Sequence, residues 1–193
     1  MDKVLVFLAD GFEEIEALTI VDYLRRADIS LDTVSVIDDL EVVGSHDIKI
    51  KADIMIDDIN KDDYKALYIP GGTKGAENLR DDERVINLVK DFNKDDKLIA
   101  AICAGPIVLD RAGVLDGKSF VSFPAIESLN KKEGFKEDEL VVKDGNIITS
   151  RGAGASIYLA LDLVKILKGF DYLDELKPGI QQDFVEDYFD FKY

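Results

Sequence analysis

The stretch Leu98–Leu109 reads LIAAICAGPIVL and contains Cys103, the only cysteine of the chain. Its first five residues are apolar throughout, which is typical of a strand covered by helices on both faces of a parallel sheet. Gly105 and Pro106 then open a helix, because proline suits the first helical turn. The stretch therefore predicts a strand, a sharp turn that holds Cys103, and a helix.

The same alternation of short apolar runs and helical segments extends along the chain. In the segment after the first strand, Ile15, Leu18, Val21 and Leu24 recur every three residues and predict a helix with one buried face. Strand–helix alternation implies right-handed parallel crossovers, so we expect a doubly wound α/β sandwich. Strands are predicted at Val4–Leu8, Thr33–Ile37, Ala66–Ile69, Leu98–Ile102 and Ser119–Ser122, and helices at Glu13–Ala27, Asp82–Phe92, Pro106–Ala112 and Ala155–Leu167.

Two segments depart from this alternation and predict antiparallel hairpins. Asp144-Gly145 lies between two strand-like runs, and a second turn is expected near Gly44–Asp47. No linker or boundary interrupts the chain, so residues 1–193 are expected to form one domain. The segment of about 180–193 is acidic and aromatic without a clear period. It is predicted to dock as an extension, to pair with another chain, or to be a loosely held tail.

Composition excludes several classes of function. Lys plus Arg is 24 and Asp plus Glu is 40, a formal net charge of −16 that disfavours nucleic acid as a partner. No apolar run approaches the roughly 20 residues that span a bilayer, so no membrane role is expected. The first ten residues predict a strand and not a signal peptide. With a single cysteine and no export signal, a cytoplasmic protein without disulfide, cofactor or metal is expected.

The predicted turn at Cys103 admits two interpretations. A cysteine after an apolar strand often serves as a packed small hydrophobe. Here, however, it lies at the carboxyl edge of a parallel sheet, where open α/β folds place their ligands, in the pattern of a nucleophile elbow. The positive end of the following helix would favour thiolate over thiol.

Two other segments are predicted to reach the same edge of the sheet. The Gly71-Gly72 turn follows the strand at Ala66–Ile69, and its backbone N–H groups could serve an oxyanion, or it is merely a tight turn. Three acids, Glu13, Glu14 and Glu16, fall in the first turns of the first helix. Acids are favoured there in any case, and spacing alone leaves open which of them turns toward the cleft.

Four segments in this order resemble the DJ-1/PfpI (ThiJ) superfamily, closest to its DJ-1 branch: LADGFEEIEAL, PGGTKGAENL, AAICAGP and ITSRGAGAS. The resemblance covers about residues 1–179 and implies a flavodoxin-like three-layer sandwich with a mostly parallel sheet, usually as a homodimer. It also implies that Cys103 is reactive, that Glu16 is its acidic partner, and that Gly72 and Ala104 supply oxyanion-type backbone donors.

This pairing is physically reasonable. A carboxylate beside a thiolate is disfavoured by like charge, so Glu16 should be protonated when Cys103 is ionised. The neutral acid can then donate a hydrogen bond to the sulfur and lower its pKa, and the two groups should titrate as a coupled pair.

The sequence departs from the family where catalytic members carry histidine. Ala104 follows the cysteine directly, which disfavours a peptidase of the PfpI type, and Phe123 stands before Pro124 where the DJ-1 branch has histidine. The only histidine, His46, lies in a region that approaches the partner's cleft in the family dimer. It is predicted either to act across the dimer together with Arg26 or to be an exposed turn residue.

Three functions follow as hypotheses. The first is a DJ-1-like stress-response protein whose oxidisable Cys103 ends as a sulfinate and acts weakly on small aldehydes in glyoxalase- or deglycase-type reactions. The second is a non-enzymatic redox sensor or chaperone-like dimer, and the third is a cysteine hydrolase that uses His46 of the partner chain.

Overall fold

A seven-stranded sheet forms the centre of the protein in a computed structural model that describes residues 3–193; Met1 and Asp2, the first residues of the predicted domain, lie outside it. The strands are β1 (Lys3–Leu8), β2 (Leu31–Ser35), β3 (Glu41–Val43), β4 (Lys49–Lys51), β5 (Ile54–Met55), β6 (Tyr64–Ile69), β7 (Leu98–Ile102), β8 (Val141–Asp144) and β9 (Ile147–Ser150). The order in the sheet is β5-β2-β1-β6-β7-β9-β8, and every neighbouring pair is parallel except β8 with β9.

Helices cover both faces of this sheet, so the predicted flavodoxin-like three-layer sandwich is confirmed. The helices are α1 (Glu14–Arg26), α2 (Thr73–Asp81), α3 (Glu83–Lys94), α4 (Pro106–Arg111), α5 (Glu127–Asn130), α6 (Ser156–Lys168), α7 (Phe170–Gly179) and α8 (Gln182–Phe189). Alternate residues of β1 enter opposite cores: Val4 and Val6 pack with the layer of α1 and α6, whereas Leu5 and Phe7 pack with α2, α3 and α4.

Helix α1 is where the sequence predicted it, but its buried face is rotated. Ala17, Ile20, Val21 and Leu24 are buried, which follows the helical period, whereas Ile15 is 57% exposed. The prediction that Ile15 belongs to the buried face was therefore wrong. Its side chain lies on the surface beside the first turn of the helix.

The predicted strand at Ser119–Ser122 is also absent, although its residues are largely buried. Strand β9 already pairs with β7, and β8 forms the edge of the sheet beyond it. The segment therefore makes only an isolated bridge through Phe120, and Val121 N–H donates to the Thr149 side chain instead of a ladder carbonyl.

Both predicted hairpins are present. β8 and β9 pair across Asp144-Gly145, and β3 and β4 form a separate two-stranded arm. The turn of that arm is attached to the loop before α1, because Ser45 N–H donates to the Phe12 carbonyl at 2.8 Å. The start of α1 is thus held from the side by the β3–β4 arm.

Within the acidic, aromatic segment of about 180–193, Gln182–Phe189 form α8, which follows α7. Helix α8 packs on the chain through Gln182 and Glu186, which are both buried. Within residues 3–193, none of the helices combines the length and apolar character needed to cross a bilayer.

Candidate functional site

Cys103 lies at the sharp turn between β7 and α4. Its φ of 59° is in the left-handed region, which is rarely adopted by a residue with a side chain. Its own N–H donates to the Ser150 carbonyl at 3.0 Å, and its carbonyl accepts from Phe123 N–H at 2.9 Å. Such a conformation costs about 1–3 kcal/mol and is held by its surroundings. It turns the sulfur out of the line of the strand, as expected of a nucleophile elbow.

Glycines allow the neighbouring loop to approach this turn closely. A Cβ on Gly71 would lie 2.4 Å from Glu16 Oε2 and 2.6 Å from Cys103 Cβ, so Gly71 fills the narrow gap between the two side chains. Gly72 has a φ of 82°, which favours glycine. With the chain this close, the backbone N–H groups of Gly72 and Ala104 donate hydrogen bonds to the Cys103 side chain.

Glu16 reaches the same point from the first turns of α1 and is fully buried. Gly71 N–H donates to its Oε2 at 2.7 Å, and the Tyr68 hydroxyl donates to its main-chain carbonyl at 2.9 Å. The carboxyl and the Cys103 side chain face each other across Gly71, and each affects the pKa of the other. Its other oxygen, Oε1, has no fixed partner among residues 3–193. The structure therefore brings Cys103, Glu16, Gly72 and Ala104 together.

Cys103 and Glu16 each affect the pKa of the other, and burial raises both pKa values. Burial raises the pKa of Glu16 to about 7, against the lowering effect of Cys103 and of Gly71 N–H. Burial also raises the pKa of Cys103, and the charge and hydrogen bond of Glu16 add to this, whereas the N–H groups of Ala104 and Gly72 lower it.

The start of α4 was expected to favour the Cys103 thiolate, and Ala104 N–H does lower the pKa of Cys103, but not enough while Glu16 is ionised. Burial and like charge outweigh the two backbone donors in that state. A proton on Glu16 removes the repulsion and turns the carboxyl into a donor. The two groups thus form one coupled acid pair, whose charge is shared between oxygen and sulfur.

A second buried carboxylate, Glu14, precedes this pair on α1. Its oxygens accept from His46 N–H at 2.7 Å, His46 Nδ1 at 2.8 Å and the Ser45 hydroxyl at 3.1 Å. Burial acts to raise its pKa, but these donors together lower it to about 2. Gly44 makes room for Glu14, because a Cβ there would lie 2.2 Å from Oε1. Glu14 therefore anchors the turn of the β3–β4 arm.

His46 is exposed and is bound by Glu14 of its own chain, which raises the pKa of the imidazole. Glu13, Glu14 and His46 place one ligand atom each within 4.8 Å of one another. Both oxygens of Glu14 are already engaged by protein donors, as described above, and Glu13 accepts from Glu16 N–H at the start of α1. These groups serve the local structure and are not arranged as an open metal site.

Arg26 lies at the opposite end of α1 and pairs with Asp22 at 2.7 Å on the surface. At 1.5 Å of rise per residue, it is about 15 Å along the helix from Glu16. Within one chain, Arg26 and His46 are therefore not brought together at the sulfur.

Phe123 borders the sulfur, as its place before Pro124 suggested. A Cβ on Gly152 would lie 3.5 Å from the Phe123 ring and 3.9 Å from Cys103 Sγ, so the ring and the thiol flank the same small space. Phe123 is 46% exposed and forms an apolar wall that has no proton to transfer.

The sequence placed the Gly71-Gly72 turn at this edge as a possible oxyanion donor, but the donation of Gly71 N–H to Glu16 was not predicted. The contact of Tyr68 with the Glu16 carbonyl was missed altogether. Nothing in the pattern of β6 distinguishes Tyr68 from an ordinary core residue.

Comparisons with known proteins agree with this architecture. The family model described as DJ-1/PfpI family matches residues 2–166. Protein DJ-1 homolog B of Arabidopsis thaliana is 39% identical over 168 residues, which are 86% of this chain but only 38% of that protein's length. The crystal structure of Drosophila melanogaster DJ-1beta superposes with a TM-score of 0.89 at 36% identity and covers 94% of this chain and 98% of that one. Toxoplasma gondii DJ-1, described as oxidized, gives a TM-score of 0.88 at 34% identity with the same coverage.

Proposed function

Since the chain belongs to the DJ-1/PfpI family, we propose that it is a stress-response protein of the DJ-1 type in which Cys103 is the reactive thiol and Glu16 its proton partner. Family membership supports the general stress-response role. The chemistry of Cys103 and the choice of Glu16 are proposed from the geometry of this chain.

One observation carries the proposal: the fully buried Glu16 carboxyl has an oxygen without a fixed partner and contacts a sulfur that receives two backbone N–H groups. Glu16 itself receives only one backbone donor through its side chain, from Gly71. Burial raises the pKa of Cys103, and the two N–H groups act against this by solvating a negative charge on sulfur better than the single donor solvates one on Glu16. With the proton on Glu16 the like-charge repulsion is also removed, so we propose a thiolate at neutral pH.

Oxidation by a peroxide is the simplest reaction for this pair. The thiolate attacks one peroxide oxygen, the O–O bond breaks, and the leaving hydroxide takes the proton of Glu16 to form water. Sulfur gains one OH group as a sulfenic acid, which can return its proton to the ionised Glu16, and a second equivalent of peroxide oxidises it to a sulfinate with release of water. No second cysteine exists in the chain to form a disulfide with the sulfenate, and a solved relative, Toxoplasma gondii DJ-1, is described as oxidized.

Addition to a small 2-oxoaldehyde would use the same groups. The thiolate attacks the aldehyde carbon, and the sulfur loses its charge as the C–S bond forms. The N–H groups of Gly72 and Ala104 then stabilise the charge that develops on the aldehyde oxygen, which finally takes the proton of Glu16. Glu16 would then serve as the base for the hydrogen shift to a thioester, which water hydrolyses to a 2-hydroxy acid. The overall reaction adds water and needs no external oxidant or reductant.

We propose a cytoplasmic homodimer as the functional form. Ile15 and Ile48 are 57% and 49% exposed beside His46 at the start of α1 and the turn of the β3–β4 arm. Burial of these side chains against a second copy would account for their exposure in one chain. His46 is then offered across that interface, and Arg26 joins it where the contact continues to the far end of α1.

A non-enzymatic redox sensor is the second candidate, and Phe123 favours it. The phenyl ring borders the thiol but cannot transfer a proton, so Glu16 must act alone as acid and base. A thiol of this kind can be oxidised without efficient turnover of a carbonyl substrate. The oxidation state would then alter partner binding.

Mass spectrometry after mild peroxide treatment tests the proposed site. We expect oxidation of Cys103 to the sulfinate in the wild type, and a marked loss in Glu16→Ala. Glu14→Gln is the matched control, because Glu14 is equally buried on the same helix but binds His46 instead of the sulfur. Resistance of Cys103 in the wild type, or equal oxidation in Glu16→Ala, would contradict the proposal.

Steady-state turnover of methylglyoxal separates the enzyme from the sensor. Turnover that is lost in Cys103→Ser supports the enzyme, whereas peroxide oxidation without turnover supports the sensor. Phe123→His should raise turnover by supplying a proton-transfer group while leaving peroxide oxidation in place. If His46→Ala abolishes turnover, and disruption of the dimer does the same, the hydrolase that uses His46 of the partner chain gains support instead.

A further inference from the structure

Helix α8 packs on the protein through polar side chains and exposes its apolar ones, the reverse of an ordinary surface helix. Its buried side chains are Gln182 and Glu186, whereas its apolar side chains face outward. We call Phe184, Val185, Tyr188 and Phe189 the aromatic face; its three rings are 63%, 72% and 69% exposed for Phe184, Tyr188 and Phe189. A surface helix normally buries such a stripe against its own protein.

The helix is held in this orientation by polar contacts. Lys177 Nζ lies 2.9 Å from Glu186 Oε1, and Gln182 Nε2 donates to the same oxygen at 3.2 Å. Beyond the helix, the Tyr193 ring packs on Tyr158 with centroids 4.7 Å apart. The aromatic face is therefore not needed to attach α8 to the rest of the molecule.

The exposed rings form a continuous surface. Phe184 and Tyr188 lie one turn apart and stack with centroids 6.3 Å apart, and Tyr188 meets Phe189 edge to face at 4.9 Å. Contiguous exposed apolar groups of this kind commonly mark an interaction site. Aromatic side chains also contribute much of the binding energy at protein interfaces.

Acidic side chains border this face. Asp183 and Asp187 lie along the other exposed flank of α8, and with Asp174 they line a cavity of about 310 Å³ between α7 and α8. Two lysines, Lys177 and Lys192, line it as well, and Lys177 is paired with Glu186. Residues 170–193 contain seven acids and two lysines. We call Asp174, Asp183, Asp187 and Asp190 the acidic rim.

We propose that the aromatic face and the acidic rim dock a cationic amphipathic helix of another protein. The apolar side of such a helix would cover Phe184, Tyr188 and Phe189, and its lysines or arginines would meet the rim. A second copy of this chain would bring acidic rims together within a protein of net charge −16. Neither the aromatic face nor the acidic rim includes a residue of the Cys103 site, so this surface goes beyond the function proposed there.

A labelled Leu/Lys peptide of about five helical turns is the probe, and its binding to the full chain is followed by fluorescence anisotropy. We expect saturable binding that weakens as salt rises. The doubly substituted Phe184→Ser/Tyr188→Ser protein should bind about tenfold more weakly or worse. Asp183→Asn/Asp187→Asn should bind more weakly and lose part of the salt dependence.

Phe170→Ser is the matched control. Phe170 is 63% exposed, as Phe184 is, but lies at the start of α7 outside the aromatic face, so its substitution should leave binding unchanged. Circular dichroism and the oxidation of Cys103 confirm that each variant is folded.

Four results would overturn the proposal. The first is equal binding of the peptide to Phe184→Ser/Tyr188→Ser, and the second is equal binding of a Leu/Lys peptide with a scrambled period. The third is a dimer that dissociates only when the aromatic face is substituted, which makes a second copy the occupant. The fourth is binding of phosphatidylcholine vesicles that depends on the same residues, which makes a membrane the occupant.

Discussion

Glu14 and Glu16 are two residues apart on α1 and both are buried, yet the pKa values of their carboxyl groups are shifted in opposite directions. Three donors from the β3–β4 arm bring the pKa of Glu14 down to about 2. Glu16 has a single backbone donor to its side chain and the Cys103 thiol as a neighbour, and burial raises its pKa to about 7. The supply of hydrogen-bond donors, and not burial as such, decides which acid anchors structure and which can hold a proton.

The largest expected effect of this difference is on stability as a function of pH. The pKa of Glu14 falls from 4.5 to about 2 on folding, so its contribution is present above 4.5 and is lost as pH falls toward 2. The pKa of Glu16 rises from 4.5 to about 7, so its contribution is present below 4.5 and is lost as pH rises through 7. Each is on the order of 3 kcal/mol.

Denaturant unfolding across the two pH ranges measures both contributions. Glu14→Gln should remove the pH dependence of the unfolding free energy only between about 2 and 4.5. Glu16→Gln should remove it only between 4.5 and about 7. If the two substitutions flatten the same range, the two acids do not differ as described.

The second effect is on the rate at which Cys103 is alkylated. Glu16→Ala removes a hydrogen bond to a charged sulfur, which is worth about 1.5–3 kcal/mol, so the rate with iodoacetamide should fall roughly 10- to 100-fold at neutral pH. Glu14→Gln should leave the rate unchanged, because Glu14 has no contact with the thiol among those described. Equal loss in both variants would indicate a general collapse of α1.

The third effect concerns the space between the two members of the acid pair. Gly71→Ala places a Cβ 2.4 Å from Glu16 Oε2 and 2.6 Å from Cys103 Cβ. We expect a loss of about 1–3 kcal/mol in unfolding free energy and a slower alkylation of Cys103. Gly154→Ala is the control, since its Cβ would meet nothing within 4 Å. An unaffected Gly71→Ala protein would show that the pair is not closely packed.

The smallest effect is at His46. As the only histidine it gives one imidazole titration by NMR, and Glu14 should hold its pKa above the ordinary 6.5. Glu14→Gln should return the pKa toward that value. His46→Ala should not change the alkylation rate of Cys103 in the monomer, because the imidazole binds Glu14 and not the sulfur.

Much of the fold could be predicted because the central strands are apolar on both faces. The bounds of β7 agree with the sequence prediction, and α1, α3, α4 and α6 agree to within two residues at each end. The strand expected at Ser119–Ser122 failed since pairing partners depend on the whole sheet: β9 takes the place beside β7. Helix α8 was missed because its apolar residues face solvent, so its pattern does not describe a buried face.

The sequence predicted which residues form the candidate site better than it predicted their pKa values. Position and helix-start signals placed Cys103 and three acids at one edge of the sheet, but only the resemblance selected Glu16. The structure adds why the acids differ, since Glu14 is engaged by a turn that lies about 30 residues away in sequence. Such a contact has no local signal in the sequence.

The protonation state of Cys103 is measured most directly by the ultraviolet absorbance of its thiolate as a function of pH, taken as the difference between the wild type and Cys103→Ser. Because Cys103 is the only cysteine, the difference reports on this sulfur alone. We expect a thiolate already present at neutral pH in the wild type and strongly reduced in Glu16→Ala. A sulfur that stays protonated through neutral pH in the wild type, and ionises at lower pH once Glu16 is removed, would contradict this expectation.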